Sequence, residues 1–98
     1  METQSSNDDV FDASQLICAV ARQDKEAFAR LFQYFAPRIK AMHMRKGLAE
    51  QRAEDLAQEA MLSVWRKAHQ YNPEGARAAA WIFTIARNLR IDQIRRQS

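Results

Sequence analysis

Five arginines, Arg77, Arg87, Arg90, Arg95 and Arg96, stand in the stretch 76–96 among Trp81, Ile82, Phe83, Ile85, Leu89 and Ile94, with one aspartate and no lysine. Arginine suits phosphate, because its planar fork donates two parallel bonds and keeps its charge at any physiological pH. So much fixed charge at the end of an apolar segment calls for a polyanion to face it. The remaining side chains capable of chemistry are not arranged to perform it. His43 and His69 fall on different expected helices, without the i, i+4 pairing of a helical zinc site. His43, in "MHM", reads as a helix-surface or packing residue, and His69 as a helix-end partner of the dipole. Cys18 is the single cysteine, so neither a disulfide framework nor a cysteine zinc site is available. Gly47 and Gly75 are the only glycines, which excludes a glycine-rich phosphate loop. Glu54, Asp55 and Glu59 share one helix with basic neighbours and read as a solvated or partner-facing surface. No catalysis, metal or cofactor is expected.

The charge is distributed unevenly. Residues 1–36 carry three basic and six acidic groups, a net of −3; residues 37–70 carry seven and four, and residues 71–98 five and two, each a net of +3. A chain that grows basic toward its end can turn that end to nucleic acid, although a solvated helix tail would read the same way. Ninety-eight residues suffice for one domain with one core. The 47% apolar and 28% charged fractions fit a globular chain, and the scarcity of Gly and Pro favours helix almost throughout. No apolar run approaches the roughly 20 residues that span a bilayer. The acidic start "METQSSNDDVFDAS" is unlike a signal peptide, so a cytoplasmic location is expected.

These residues must be positioned by helices. Residues 1–13 read as a disordered tail. Ser14 is expected to cap a first helix running to about Gln23, with Leu16, Ile17, Val20 and Ala21 on one face and Cys18 at its edge. Asp24 caps a second, in which Phe28, Leu31, Phe32, Phe35, Ile39 and Met42 keep the 3/4 spacing. The periodicity resumes after Pro37, so the proline should kink that helix without ending it, and Gly47 is the natural stop. A third helix, roughly residues 50–70, turns Leu56, Ala57, Ala60, Met61, Val64, Trp65 and Ala68 to the core. Asp55, Glu59 and Arg66 form its polar stripe, with Gln58 one turn from Asp55. "YNPEGAR" breaks the pattern as a loop. The last helix, about Ala78 to Arg96, buries Trp81, Ile82, Ile85, Ala86 and Leu89 and presents Thr84, Asn88 and Arg95. Its Arg87 and Arg90 lie on the other side, near Phe83 and Ile94, and periodicity does not place Ile91. Trp65 and Trp81 read as core, whereas Tyr71 at the loop entrance could be core or surface. The result is an all-α class, a compact bundle of three to four helices.

"AEDLAQEAMLSVWRKAHQY" followed by "AAAWIFTIARNLRIDQIRR" resembles region 2 of a bacterial sigma factor of the sigma-70 family, of the small extracytoplasmic-function (ECF) type. The first motif stands here as Asp55, Gln58, Glu59, Met61, Val64 and Trp65, and the second as Trp81, Ile85 to Asn88, Asp92, Arg95 and Arg96. "DKEAFARLFQYFAPRI" resembles the family's region 2.1. The resemblance covers about residues 14–97, and the two motifs in this order and spacing are specific.

The resemblance implies a non-catalytic transcription-initiation domain with two surfaces. Asp55, Gln58, Glu59, Leu62 and Arg66 would dock on the clamp helices of the RNA polymerase β′ subunit. Tyr71, Asn72, Arg77, Thr84, Arg87, Asn88, Arg90, Arg95 and Arg96 would hold the −10 promoter element as unpaired nontemplate DNA, with one base flipped into a pocket. An anti-sigma factor that covers the polymerase-binding surface until a stress signal releases it is also implied. A complete factor continues into region 4, which reads the −35 element. This chain stops at "RRQS", so that function is not carried over. A helical interaction module serving only a regulatory partner is the competing reading, and a duplex-binding repressor is weaker for want of a compact helix-turn-helix.

Overall fold

The computed structural model describes residues 11–97, and among them the chain forms four α-helices: α1 (Ala13–Ala21), α2 (Lys25–Arg45), α3 (Glu50–Lys67) and α4 (Ala78–Gln97). The expected all-α bundle is therefore present. The first cap is Asp12, whose carboxylate accepts from the Gln15 amide at 3.2 Å; Ser14 lies inside the helix instead. A carboxylate there satisfies an orphan donor and also faces the positive end of the helix dipole. Of the expected tail, residues 1–10 lie outside the described residues, while Phe11, Asp12 and Ala13 belong to the fold.

α1 stops at Ala21, two residues early, because the chain reverses there in a Schellman turn. Gln23 N–H donates to Val20 O at 2.8 Å and Asp24 N–H to Ala19 O at 3.1 Å, with Gln23 held at φ +72°. Asp24 then caps α2, accepting from the amides of Glu26 and Ala27, each at 3.1 Å. α2 continues unbroken through Pro37 and ends in the same motif. Gly47 takes φ +99°, and Leu48 N–H reaches His43 O at 3.1 Å. α3 ends at Lys67; the last turn expected of it, Ala68–Gln70, tightens to 3₁₀ geometry.

Ile17 and Val20 of α1, Leu31, Phe35 and Ile39 of α2, Ala57, Ala60, Met61 and Val64 of α3, and Ile82 and Ala86 of α4 form one buried cluster. The alanines of α3 let its neighbours approach closely, and its longest contact is with α2. The two tryptophans expected in the core are only half-buried at its edge. Trp65 meets Phe28 edge-on at 5.3 Å between ring centroids, and Trp81 lies against Tyr71 at 5.1 Å. The ring contact that joins α2 to α4 is Phe35 on Phe83, at 5.9 Å. Ile91 is half-buried and Ile94 is 50% exposed.

Further along that seam, His43 is fully buried and Arg90 is 8% exposed, with Arg90 Nη1 3.4 Å from His43 Nδ1. Arginine stays protonated, so it donates and the imidazole accepts. The ring is then neutral with its proton on Nε2, an N–H buried without a partner among the described residues. Burial first, and the Arg90 charge second, hold the His43 pKa below its ordinary 6.5. Above that value the ring is neutral folded or unfolded, and stability is independent of it. As pH falls below it, the unfolded chain takes up a proton that the folded chain refuses, and stability is lost. Urea midpoints are expected to fall between pH 7 and 5.5. That loss should be largely absent in His43→Gln, which keeps an acceptor for Arg90; an equal slope in both proteins would rule out His43 as its source.

Candidate partner and nucleic-acid interface

α3 offers one face to the core and another to solvent. Ala53, Leu56, Ala60, Met61 and Val64 are buried, while Asp55, Gln58, Glu59, Leu62 and Arg66 are all exposed, one and two turns apart along a single stripe. Leu62, 50% exposed, is an apolar side chain set between these polar ones. Nearby acids are neutralised: Lys40 of α2 lies 3.0 Å from Glu50 and 3.6 Å from Glu54. The hydrogen bond to Glu50 is the main cause that raises the Lys40 pKa. Asp55 and Glu59 have no basic partner among the described residues; Asp55 accepts only from the Gln51 amide at 3.0 Å. A shallow groove of about 410 Å³ passes Asp55 and Glu59 to reach Gln93 on α4, whose Oε1 is buried without a partner.

The loop between Tyr71 and Ala78 is held by its own polar groups. Asn72 Oδ1 accepts from Glu74 N–H at 3.0 Å, and Asn72 O from Gly75 N–H at 2.9 Å. The Tyr71 hydroxyl lies 3.0 Å from Ala76 O and 3.2 Å from Ser14 Oγ. A carbonyl can only accept, so Tyr71 donates to Ala76 and receives from Ser14. This ties the loop to α1, and between residues 11–14 and 73–78 lies a wide, open surface depression of about 720 Å³ that Tyr71 helps to line. A larger cavity, about 860 Å³, runs along α1 and α2 and contains none of the expected site residues.

Along the loop and the length of α4, the structure exposes Asn72, Arg77, Thr84, Arg87, Asn88, Arg95 and Arg96, with Asn88 about 15 Å along the helix from the loop. Thr84, Asn88 and Arg95 follow one line along α4, as their spacing predicts. Two expected members do not join them. Tyr71 is 8% exposed, with its ring on Trp81 and its hydroxyl consumed by Ser14 and Ala76, so it shapes the cavity from below. Arg90 is buried against His43 and cannot meet a strand at the surface. Sequence reasoning missed Phe11, assigned to the tail, which stacks on Tyr34 at 4.2 Å. An aromatic residue one position before a capping aspartate is the signal that could have found it. Among the described residues there is no group of metal-binding side chains, and no helix is long and apolar enough to cross a membrane.

Residues 31–98 match the family model of sigma-70 region 2. The ECF RNA polymerase sigma factor RpoE of Cereibacter sphaeroides is 51% identical over 74 residues, covering 76% of this chain and 41% of that protein. The ECF RNA polymerase sigma factor SigK of Mycobacterium tuberculosis is 31% identical over 84 residues, 86% of this chain and 45% of its own. The crystal structure of Rhodobacter sphaeroides SigE in complex with the anti-sigma ChrR matches with a TM-score of 0.83 and 48% identity, over 87% of this chain and 52% of that one. The chain thus spans about half the length of these relatives, or less.

Proposed function

Because this chain belongs to the sigma-70 family, as a region 2 domain of the ECF type, we propose that it works through two separate surfaces. The family consists of non-catalytic transcription factors. The α3 stripe binds the β′ clamp helices of RNA polymerase, and the loop with α4 holds the −10 element as single-stranded nontemplate DNA. The observation that carries the first half is Leu62, half-exposed between Gln58, Glu59 and Arg66. An apolar anchor ringed by polar groups is what a protein partner desolvates. The buried, unpartnered Gln93 Oε1 in the adjoining groove would gain a donor from that partner.

The second half rests on chemistry suited to unpaired DNA. A strand needs cations along its backbone and a place for a splayed base. Arg77, Arg87, Arg95 and Arg96 supply the cations, and the open depression over Tyr71 offers space for a splayed base. A carboxamide both donates and accepts at one base edge, so Asn88 reads, while the arginines position. A third partner, an anti-sigma factor that covers the α3 polymerase-binding surface, is supported by the likeness to SigE, which was solved with ChrR. Release of such a factor would make this a stress-response switch acting in the cytoplasm.

Asn88→Ala is expected to relax discrimination at one −10 position by about 1–3 kcal/mol, the worth of a good base contact. Arg95→Ala should weaken matched and scrambled strands alike and lower the salt slope by about one counterion. Fluorescence anisotropy of single-stranded oligonucleotides across a salt series, with core polymerase added, separates the two. If Asn88→Ala leaves every position unchanged while Arg95→Ala alters discrimination, the roles are reversed. Wild-type binding that ignores sequence altogether would favour the interaction module instead.

A further inference from the structure

Residues 72–77 of the loop before α4 are all exposed, whereas Tyr71 before them and Ala78 after them are buried. Burial therefore holds the loop only at its ends, and between them polar bonds must do so. The bonds that Asn72 accepts, from Glu74 N–H at 3.0 Å and Gly75 N–H at 2.9 Å, stay within the loop. They give it a shape but not a position. One bond reaches further. The Tyr71 hydroxyl donates to Ala76 O at 3.0 Å and accepts from Ser14 Oγ at 3.2 Å. Among the described residues, no other hydrogen bond joins residues 71–77 to α1. Ser14 and Ala76 line opposite sides of the depression, so this relay through Tyr71 spans it and sets how far apart its sides stand. The helix itself does not need the serine, because Asp12 caps α1 and Ser14 lies inside it.

We infer that Ser14 is a positioning residue for base recognition: through the Tyr71 hydroxyl it sets where the loop stands against α1. It acts without touching DNA. The inference rests on the reading of the −10 element as unpaired strand proposed above. Reading a base edge needs donors and acceptors held within about half an ångström of their place. A loop free to shift loses more entropy when the matched base arrives, which weakens binding. The same loop can adjust to a wrong base, which weakens rejection. Loss of the Ser14 hydroxyl therefore lowers matched affinity and discrimination together, while every cation of the DNA surface stays in place. The effect belongs to the loop. Asn88, about 15 Å along α4 from it, reads independently of Ser14.

The test combines amide resonances of the free chain with anisotropy of single-stranded −10 oligonucleotides, matched and singly mismatched, in the presence of core polymerase. Ser14→Ala is expected to move the amide resonances of Gly75, Ala76 and Arg77. It should lower matched affinity, and discrimination at one position, about twofold to fivefold, within the worth of one neutral hydrogen bond. That position should differ from the one that Asn88→Ala relaxes, and the salt slope should not change. Ser14→Thr, which keeps the hydroxyl, should restore both readouts. In Tyr71→Phe, which keeps the ring and loses the relay, adding Ser14→Ala should change nothing further. Unmoved loop resonances, or full discrimination in Ser14→Ala, overturns the inference. So does a further loss when Ser14→Ala is added to Tyr71→Phe, since Ser14 would then act by another route. Wild-type binding without discrimination, with the loop resonances moved in Ser14→Ala, overturns the −10 reading and leaves Ser14 as the residue that places the loop.

Discussion

Reversing both free carboxylates of α3, Asp55→Arg with Glu59→Arg, is expected to weaken binding to a β′ clamp-helix fragment about 100-fold while leaving helicity intact. Breaking a desolvated charged contact costs about 2–5 kcal/mol, and about 3 kcal/mol corresponds to that factor. The fold should tolerate the change because both side chains are exposed and opposite the buried face. The only internal bond lost is the Asp55 contact to Gln51. Titration calorimetry on the double variant, with far-ultraviolet circular dichroism as the check on folding, measures both. Unchanged affinity in a folded double variant would remove the polymerase from this face.

The second large effect is on stability. Phe35 is 2% exposed and its ring meets Phe11, Tyr34 and Phe83, so it joins the segment before α1, the middle of α2 and α4. Phe35→Ala should cost about 3–5 kcal/mol, the usual range for emptying a buried aromatic site. Domains of this size hold only about 5–15 kcal/mol in all, so the variant should be partly unfolded near body temperature. Trp81→Ala should cost less, because that side chain is only partly buried at the edge of the core. Urea denaturation of the two variants gives the order directly. A larger loss at Trp81 would move the centre of the core from the α2–α4 seam to the loop.

The helices were legible because each carries its own period and its own stop. Asp24, Gly47 and the break at "YNPEGAR" lie where the chain turns, and Leu31, Phe35 and Ile39 are buried as their spacing requires. The α3 stripe was legible for the same reason, since a strongly two-faced helix announces which residues remain outside. α4 was harder. Its apolar residues spread round more of the helix, and Arg87 and Arg90 fall on one flank with nothing in their type to separate them. What separates them is His43, 47 residues away in the chain, which buries one guanidinium and leaves the other in water. Tyr71 was ambiguous in a similar way: a phenol can end in solvent or in a hydrogen bond, and only the approach of Ser14 decides. Local pattern fixes which face of a helix is dry. It does not say which polar group a distant segment will meet.

The bond between Tyr71 and Ser14 joins residues 57 apart in the chain, whereas α2 and α3 are consecutive and linked by a short turn. Closing a chain costs more entropy as the loop lengthens, and contacts between neighbours in sequence form sooner. The helix hairpin that carries the α3 stripe is therefore expected to assemble first, and the cavity over Tyr71 only after α1 has returned to the loop. In a chain emerging from the ribosome, or refolding after being pulled apart, the ability to recognise a protein partner would precede the ability to recognise a promoter. With the two surfaces in the roles proposed for them, that order of assembly would make attachment available before reading.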